Sequence, residues 1–179
     1  MRSNITEVIK EEDNMKKFSK TIVAMLSMII LLPNAMAGTS EVTWTSPEKY
    51  RDIEPATESK KRFQDSVMKN LEEHILELAS KLPEGQALKV NVTDVDLAGD
   101  VNFSSSRQVR VVKDIYFPRI KFDYKLESAS GEIISQGDVD LKDMNFLRHG
   151  KLKYRSDRFG YEKKMLDDWF TDTFSEKQS

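Results

Sequence analysis

Between residues 58 and 82, Phe63, Val67, Leu71, Ile75, Leu78 and Leu82 recur at steps of three and four, with Lys, Glu and Asp filling most other positions. One apolar stripe on a 3.6-residue period predicts an amphipathic helix, and Pro83-Glu84-Gly85 closes it. Such a helix gains most of its stability from packing its stripe against another element. What the rest of the chain offers as a partner therefore decides the architecture.

The partner is β structure. Leu88, Val90 and Val92 alternate with Lys89, Asn91 and Thr93, the pattern of a half-buried strand. Parity then flips, because Val95 and Leu97 are apolar while Asp94 and Asp96 are not; side-chain faces alternate strictly, so this requires a bulge or the strand's end. Ala98-Gly99-Asp100 reads as a turn. Val109, Val111, Ile115 and Phe117 share a parity and predict a further strand, which Pro118 bends or confines to an edge. Ile120, Phe122, Tyr124 and Leu126 alternate with Lys121, Asp123, Lys125 and Glu127. Ser128 to Gly131 is turn chemistry, and Glu132 to Val139 returns as the second arm of a hairpin.

Glu41 to Trp44 reads as a short first strand, followed by a loop over residues 45–57 containing Pro47 and Pro55. Residues 148–158 read as a basic, polar loop. Tyr161, Met165, Leu166, Trp169, Phe170 and Phe174 give a last helix a broad apolar face. The expectation is a two-layer α+β domain, a mostly antiparallel sheet of four or five strands with two main helices on one face.

The N-terminal region carries an address. Lys16-Lys17-Phe18-Ser19-Lys20 precedes an apolar run from Thr21 to Leu32, and Ala35 and Ala37 occupy −3 and −1 of a cut before Gly38. As a helix the run spans about 18 Å, against roughly 30 Å of bilayer hydrocarbon, so it reads as a cleaved signal rather than an anchor. No Cys follows it, which excludes an acylated N-terminal cysteine. Acidic Glu7, Glu11, Glu12 and Asp13 fit a signal poorly, so Met15 is the expected start. Residues 1–37 are the signal and residues 38–179 a single periplasmic domain, with no stable membrane insertion after cleavage.

That domain would hold 23 Lys and Arg against 26 Asp and Glu. The balance gives no reason to expect nucleic acid as partner. With no Cys there are no disulfides and no thiolate chemistry.

Several segments taken together resemble a known family. They are Val42-Thr43-Trp44 with Ser46 to Asp52, Leu82-Pro83-Glu84-Gly85-Gln86, Asp94 to Gly99, Arg110 to Ile120, Leu141 to Leu147, and Tyr161 to Phe170. In this order they are similar to the bacterial family called domain of unknown function 3016, small exported proteins of gram-negative bacteria. The resemblance spans residues 41–174. It implies a periplasmic location and a two-layer α+β domain, and it implies no activity.

Candidate ligand-binding residues are Asp94, Asp96, Arg110, Arg119 and Tyr116. Asp94 and Asp96 share a strand face about 7 Å apart, which suits an acid/base pair or hard cation; a solvated strand end or an Asp–Arg pair is the alternative. Arg107, Arg110, Lys113 and Arg119, interleaved with Tyr116 and Phe117, could clamp a carboxylate or phosphate, or pair with Asp94, Asp96 or Asp114 across strands. Asp143, Glu162, Asp167 and Asp168 read as structural, with Glu162 in the first turn of the last helix, where a carboxylate suits the helix dipole. His74 and His149 lack metal-ligand spacing, and Ser104-Ser105-Ser106 forms no nucleophile elbow. No catalytic residue, metal or cofactor is assigned. Three readings stand: a binding or accessory domain for an envelope protein or small ligand, an accessory domain pairing through an edge strand, and a carboxylate-dependent, hydrolase-like enzyme built on Asp94, Asp96 and Arg119.

Overall fold

The structure is a computed structural model that describes residues 38–103, 108–148, 153–154 and 156–174. They belong to the second of the chain's two units, Met36–Ser179. The expected signal segment with Met15, Ala35 and Ala37, together with Ser104 to Arg107 and His149, lies outside the described residues.

Strand β1 (Thr39–Trp44) leads through a short 3₁₀ turn, Pro47–Lys49, to helix α1 (Lys60–Ala79). Strand β2 (Ala87–Asp96) follows, then a small hairpin of β3 (Asp100–Asn102) and β4 (Val109–Val111). Strands β5 (Arg119–Glu127) and β6 (Ile133–Lys142) and helix α2 (Gly160–Phe174) complete the domain. The main sheet has the order β1-β2-β5-β6 and β3-β4 form a separate two-stranded sheet. Pairing is antiparallel except between β1 and β2, which run parallel because α1 carries the chain back across the sheet. The expected α+β architecture is what the chain adopts.

The stripe of α1 is buried at Phe63, Val67, Leu71, Ile75 and Leu78, and Leu82 stays buried just beyond the helix, which ends three residues earlier than its periodicity predicts. These side chains join Leu88, Val90, Val92 and Val95 of β2 and Ile120, Phe122, Tyr124 and Leu126 of β5 in one core. Helix α2 covers the neighbouring part with Met165, Leu166, Trp169, Phe170 and Phe174. Trp169 meets the rings of Phe122, Tyr124 and Phe174 edge-on at centroid separations of 4.7, 5.4 and 5.5 Å, the arrangement aromatic quadrupoles favour.

The parity flip in β2 is a bulge. Val92 pairs with Phe122 and Asp94 with Lys121, so Thr93 is the extra residue. It lets Val95 return to the core while Asp94 and Asp96 face away from the helices. Tyr50 secures the irregularity, its buried hydroxyl donating to the Val92 carbonyl at 2.7 Å.

Two expectations are corrected. The segment 109–117 is not one strand: β4 ends at Val111, Tyr116 N–H closes a turn on Lys113 O, and Ile115 is 66 % exposed. Shared parity there is not continuous pairing, since among the described residues β4 pairs with β3 alone. Asp100, read as a turn residue, opens that partner strand, because a three-residue strand is too short to show a period.

Candidate functional site

The bulge presents Asp94 and Asp96 toward the loop that follows β1. Arg51 lies on both carboxylates, at 3.8 Å from Asp94 and 3.6 Å from Asp96, and its backbone N–H donates to Asp94 at 2.9 Å. The loop is tied to the strand by backbone bonds, Asp52 N–H to Val95 O at 3.2 Å and Leu97 N–H to Asp52 O at 3.1 Å. Partial burial pushes the Asp96 carboxyl up; Arg51 opposes this and the nearby Asp52 and Asp94 reinforce it.

Arg110 reaches the same loop from the other side. Its guanidinium grips Asp52 with two bonds, at 2.8 and 3.0 Å, and donates also to the carbonyls of Gly99 at 2.7 Å and Glu54 at 2.8 Å. A planar fork engaged at four acceptors is a fastener, and it fixes the β3-β4 hairpin to the domain. Gly99, at φ +83°, makes the approach possible, since a Cβ there would stand 2.8 Å from Val111 O. Gly99 N–H in turn donates to Tyr116 O at 2.9 Å, so Tyr116 is held beside Asp96 in an open cleft of about 310 Å³. Asp52, Glu54, Asp96 and Asp100 line that cleft together with Arg51, leaving it acidic on balance, and Phe103 and Ile115 give it an apolar lip.

Arg119 goes elsewhere. It faces Asp96 across the β2-β5 ladder, yet its side chain engages Asp140 of β6, with Nε to Oδ1 at 2.6 Å and a second contact from the terminal nitrogen. These bonds hold the Asp140 carboxyl down at about 2. Of the five candidates, the structure therefore gathers Asp94, Asp96, Arg110 and Tyr116 around one loop and commits Arg119 to its neighbouring strand. Asp114 pairs with neither arginine; its carboxylate accepts from Ile115 N–H at 2.9 Å.

Arg51 and Asp52, which organise the region, escaped the reading of residues because they sit in a loop with no period. The one available signal was their place within the Ser46 to Asp52 segment of the family resemblance. Glu162 lies in the first turn of α2 as expected, and its role there goes further: it is 2 % exposed and accepts the Ala98 N–H at 2.7 Å, tying α2 to the end of β2. A second cluster was also invisible. The buried His74 shares Asp167 with Tyr154 and Lys153, at 2.9, 2.7 and 2.9 Å. Asp167 can only accept, so His74 Nε2 carries the proton. Burial pushes the His74 imidazole below its ordinary value, with Asp167 opposing.

Among the described residues no group of three or more His, Asp or Glu side chains is disposed to hold a metal ion, and no helix is long and apolar enough to cross a membrane. No curated protein matches the chain. Among solved structures, a Helicobacter pylori homolog of neuraminyllactose-binding hemagglutinin is similar at 12 % identity, over 82 % of this chain and 88 % of that one, with a TM-score of 0.22. Likeness at that level supports no inference about either fold or ligand. The family described as protein of unknown function, DUF3016, matches residues 38–172, the whole folded domain from β1 into the last turns of α2, and the chain belongs to that family.

Proposed function

We propose that this is an exported, non-enzymatic binding domain of the bacterial envelope, which docks a protein partner at the end of the sheet where β3, β4 and the 113–116 turn meet. One observation carries the reading. Ile115 is 66 %, Met144 62 % and Phe103 61 % exposed, and with Leu147 they form an apolar rim beside the acidic cleft. A cluster of large exposed apolar side chains marks an interaction surface far better than a scatter of them. Within the cleft, Asp52 is taken by Arg110 and Glu54 by Lys60. The occupant is therefore selected by Asp100, which has no basic partner among the described residues, and by Asp96, whose Arg51 contact is a loose 3.6 Å. It is a protein segment that sets an apolar side chain on the rim and a Lys or Arg against Asp96 and Asp100.

The test places a photo-crosslinking residue at Ile115 or Met144 in cells, with Lys125 on the sheet face as control. The expected result is one discrete adduct from the rim positions and none from Lys125, reproduced with the purified partner and lost in Ile115→Asp. Equal labelling at all three positions overturns the proposal. Export is tested separately, by mass spectrometry of the mature protein: a product beginning at Gly38 supports it, and one beginning at Met1 or Met15 refutes it.

A second reading is favoured by the raised Asp96 carboxyl, a property of general acids. A carboxylate-dependent hydrolase predicts turnover of ester, phosphoester or peptide substrates that is lost in Asp96→Asn. Wild-type protein without turnover across that panel removes this reading.

A further inference from the structure

On the far side of Arg110 from the cleft lies a more enclosed hollow of about 210 Å³, between the start of α1, the end of β2, the β4 exit and the start of α2. Its walls are Phe63, Leu97, Val112 and Phe159. Their surfaces are mainly carbon, and two charged groups that line it, the buried Glu162 and the partly buried Arg110, are already engaged: Glu162 takes the Ala98 N–H, and Arg110 is locked on Asp52. Neither is available to be a strong anchor for a ligand's charge.

Arg158 differs from them. It lines the same hollow, its side chain is 55 % exposed, and its guanidinium carbon stands 4.7 Å from the Phe63 ring centroid and 5.6 Å from that of Phe159. The two rings hold the planar group in place without consuming its hydrogen-bond donors. Its one acidic contact among the described residues is Glu58, on the surface, and such exposed pairs contribute little and exchange readily. The remaining N–H groups can present a bidentate edge to a carboxylate.

We propose that this hollow is a binding site for a small monocarboxylate with an apolar or aromatic body. The body lies between Phe63, Leu97, Val112 and Phe159, and the carboxylate takes the edge of Arg158. Size supports the class: a dry cavity of about 150 Å³ accommodates benzene, so about 210 Å³ holds a ring with a short acid-bearing tail, and it falls below the range of drug-sized ligands. The site is separate from the docking rim, and neither proposal depends on the other.

The probe is 3-phenylpropionate, titrated into the mature domain while backbone amide NMR shifts are followed. The expected result is saturable binding with Kd on the order of 1 mM or tighter, with shifts centred on Phe63, Leu97 and Phe159. The isosteric alcohol, 3-phenylpropanol, should bind at least tenfold more weakly, as should phenylpropionate to Arg158→Gln. Val112→Trp, which fills the mouth, should abolish binding while leaving the spectrum of the core intact. Absence of saturation at 10 mM overturns the site. So does equal binding of acid and alcohol, equal binding by Arg158→Gln, or binding that persists in Val112→Trp.

Discussion

The two faces of the main sheet are made from alternate residues of the same strands, yet they are held by different forces. On the helix side, Phe122 and Tyr124 of β5 are buried under Trp169 and its aromatic neighbours. On the other side, Lys121 and Asp123 look outward among Asp94, Asp140 and Asn91. The first face is stabilised by apolar area and close contact. The second is laced by ion pairs such as Arg119–Asp140 and Lys89–Glu127, which water screens. Between them stands the Arg110–Asp52 clasp, bidentate like Arg119–Asp140 but with its carboxylate 17 % exposed where Asp140 is 40 % exposed, at the end where the candidate sites lie. The contrast teaches that charge density in this chain is a poor guide to energetic weight; shielding decides.

Replacing Trp169 by Ala should break the helix-side face most severely, with a loss of about 3–5 kcal/mol in urea unfolding of residues 38–179. The matching truncation outside, Lys125→Ala, should stay within about 0.5 kcal/mol. Comparable losses would erase the distinction between the faces.

Double-mutant cycles sharpen the middle term. Arg110→Ala and Asp52→Ala should show coupling above about 1 kcal/mol, because removing one partner strands the other beside buried backbone. The Arg119–Asp140 cycle should give a smaller coupling despite its short contacts. If the second equals or exceeds the first, shielding is not the deciding variable.

The smallest effect expected is a pH dependence from the clustered His74. Its folded-state value is lowered by burial, while Asp167 and Glu77 oppose and Lys163 assists. Below about pH 6.5 the unfolded chain therefore binds the proton that the folded chain refuses, and stability falls as pH falls through that window. Asp167, pushed up by burial but held down on balance by Lys153, Tyr154 and His74, retains its stabilising contribution until more acidic pH. Denaturant midpoints should drop between pH 7.5 and 5.5, and His74→Gln should flatten that drop. An identical slope in the variant would assign the pH dependence to other groups.

What could be read from residues alone was whatever repeats. The stripe of α1, the alternation of β2 and β5 and the apolar face of α2 each follow from a local period, and their sum required an α+β domain. The shift from Val92 to Val95 required either a bulge or the strand's end, and the folded chain takes the bulge, at Thr93. The family resemblance likewise rested on local segments in order.

Partner choice had no such signature. Nothing local states that β1 runs parallel to β2, that Arg110 chooses Asp52 over Asp94, or that Arg119 turns to Asp140. These follow from which backbone segments the packed core brings within a few ångströms, and an ion pair's geometry is set by that placement. The same holds for the rim of Phe103, Ile115 and Met144 and for the hollow beneath Arg158, whose parts lie far apart along the chain. Periodicity fixes which side of an element is apolar. Only the folded chain decides which charged groups lose their water, and which cavities are left between the elements.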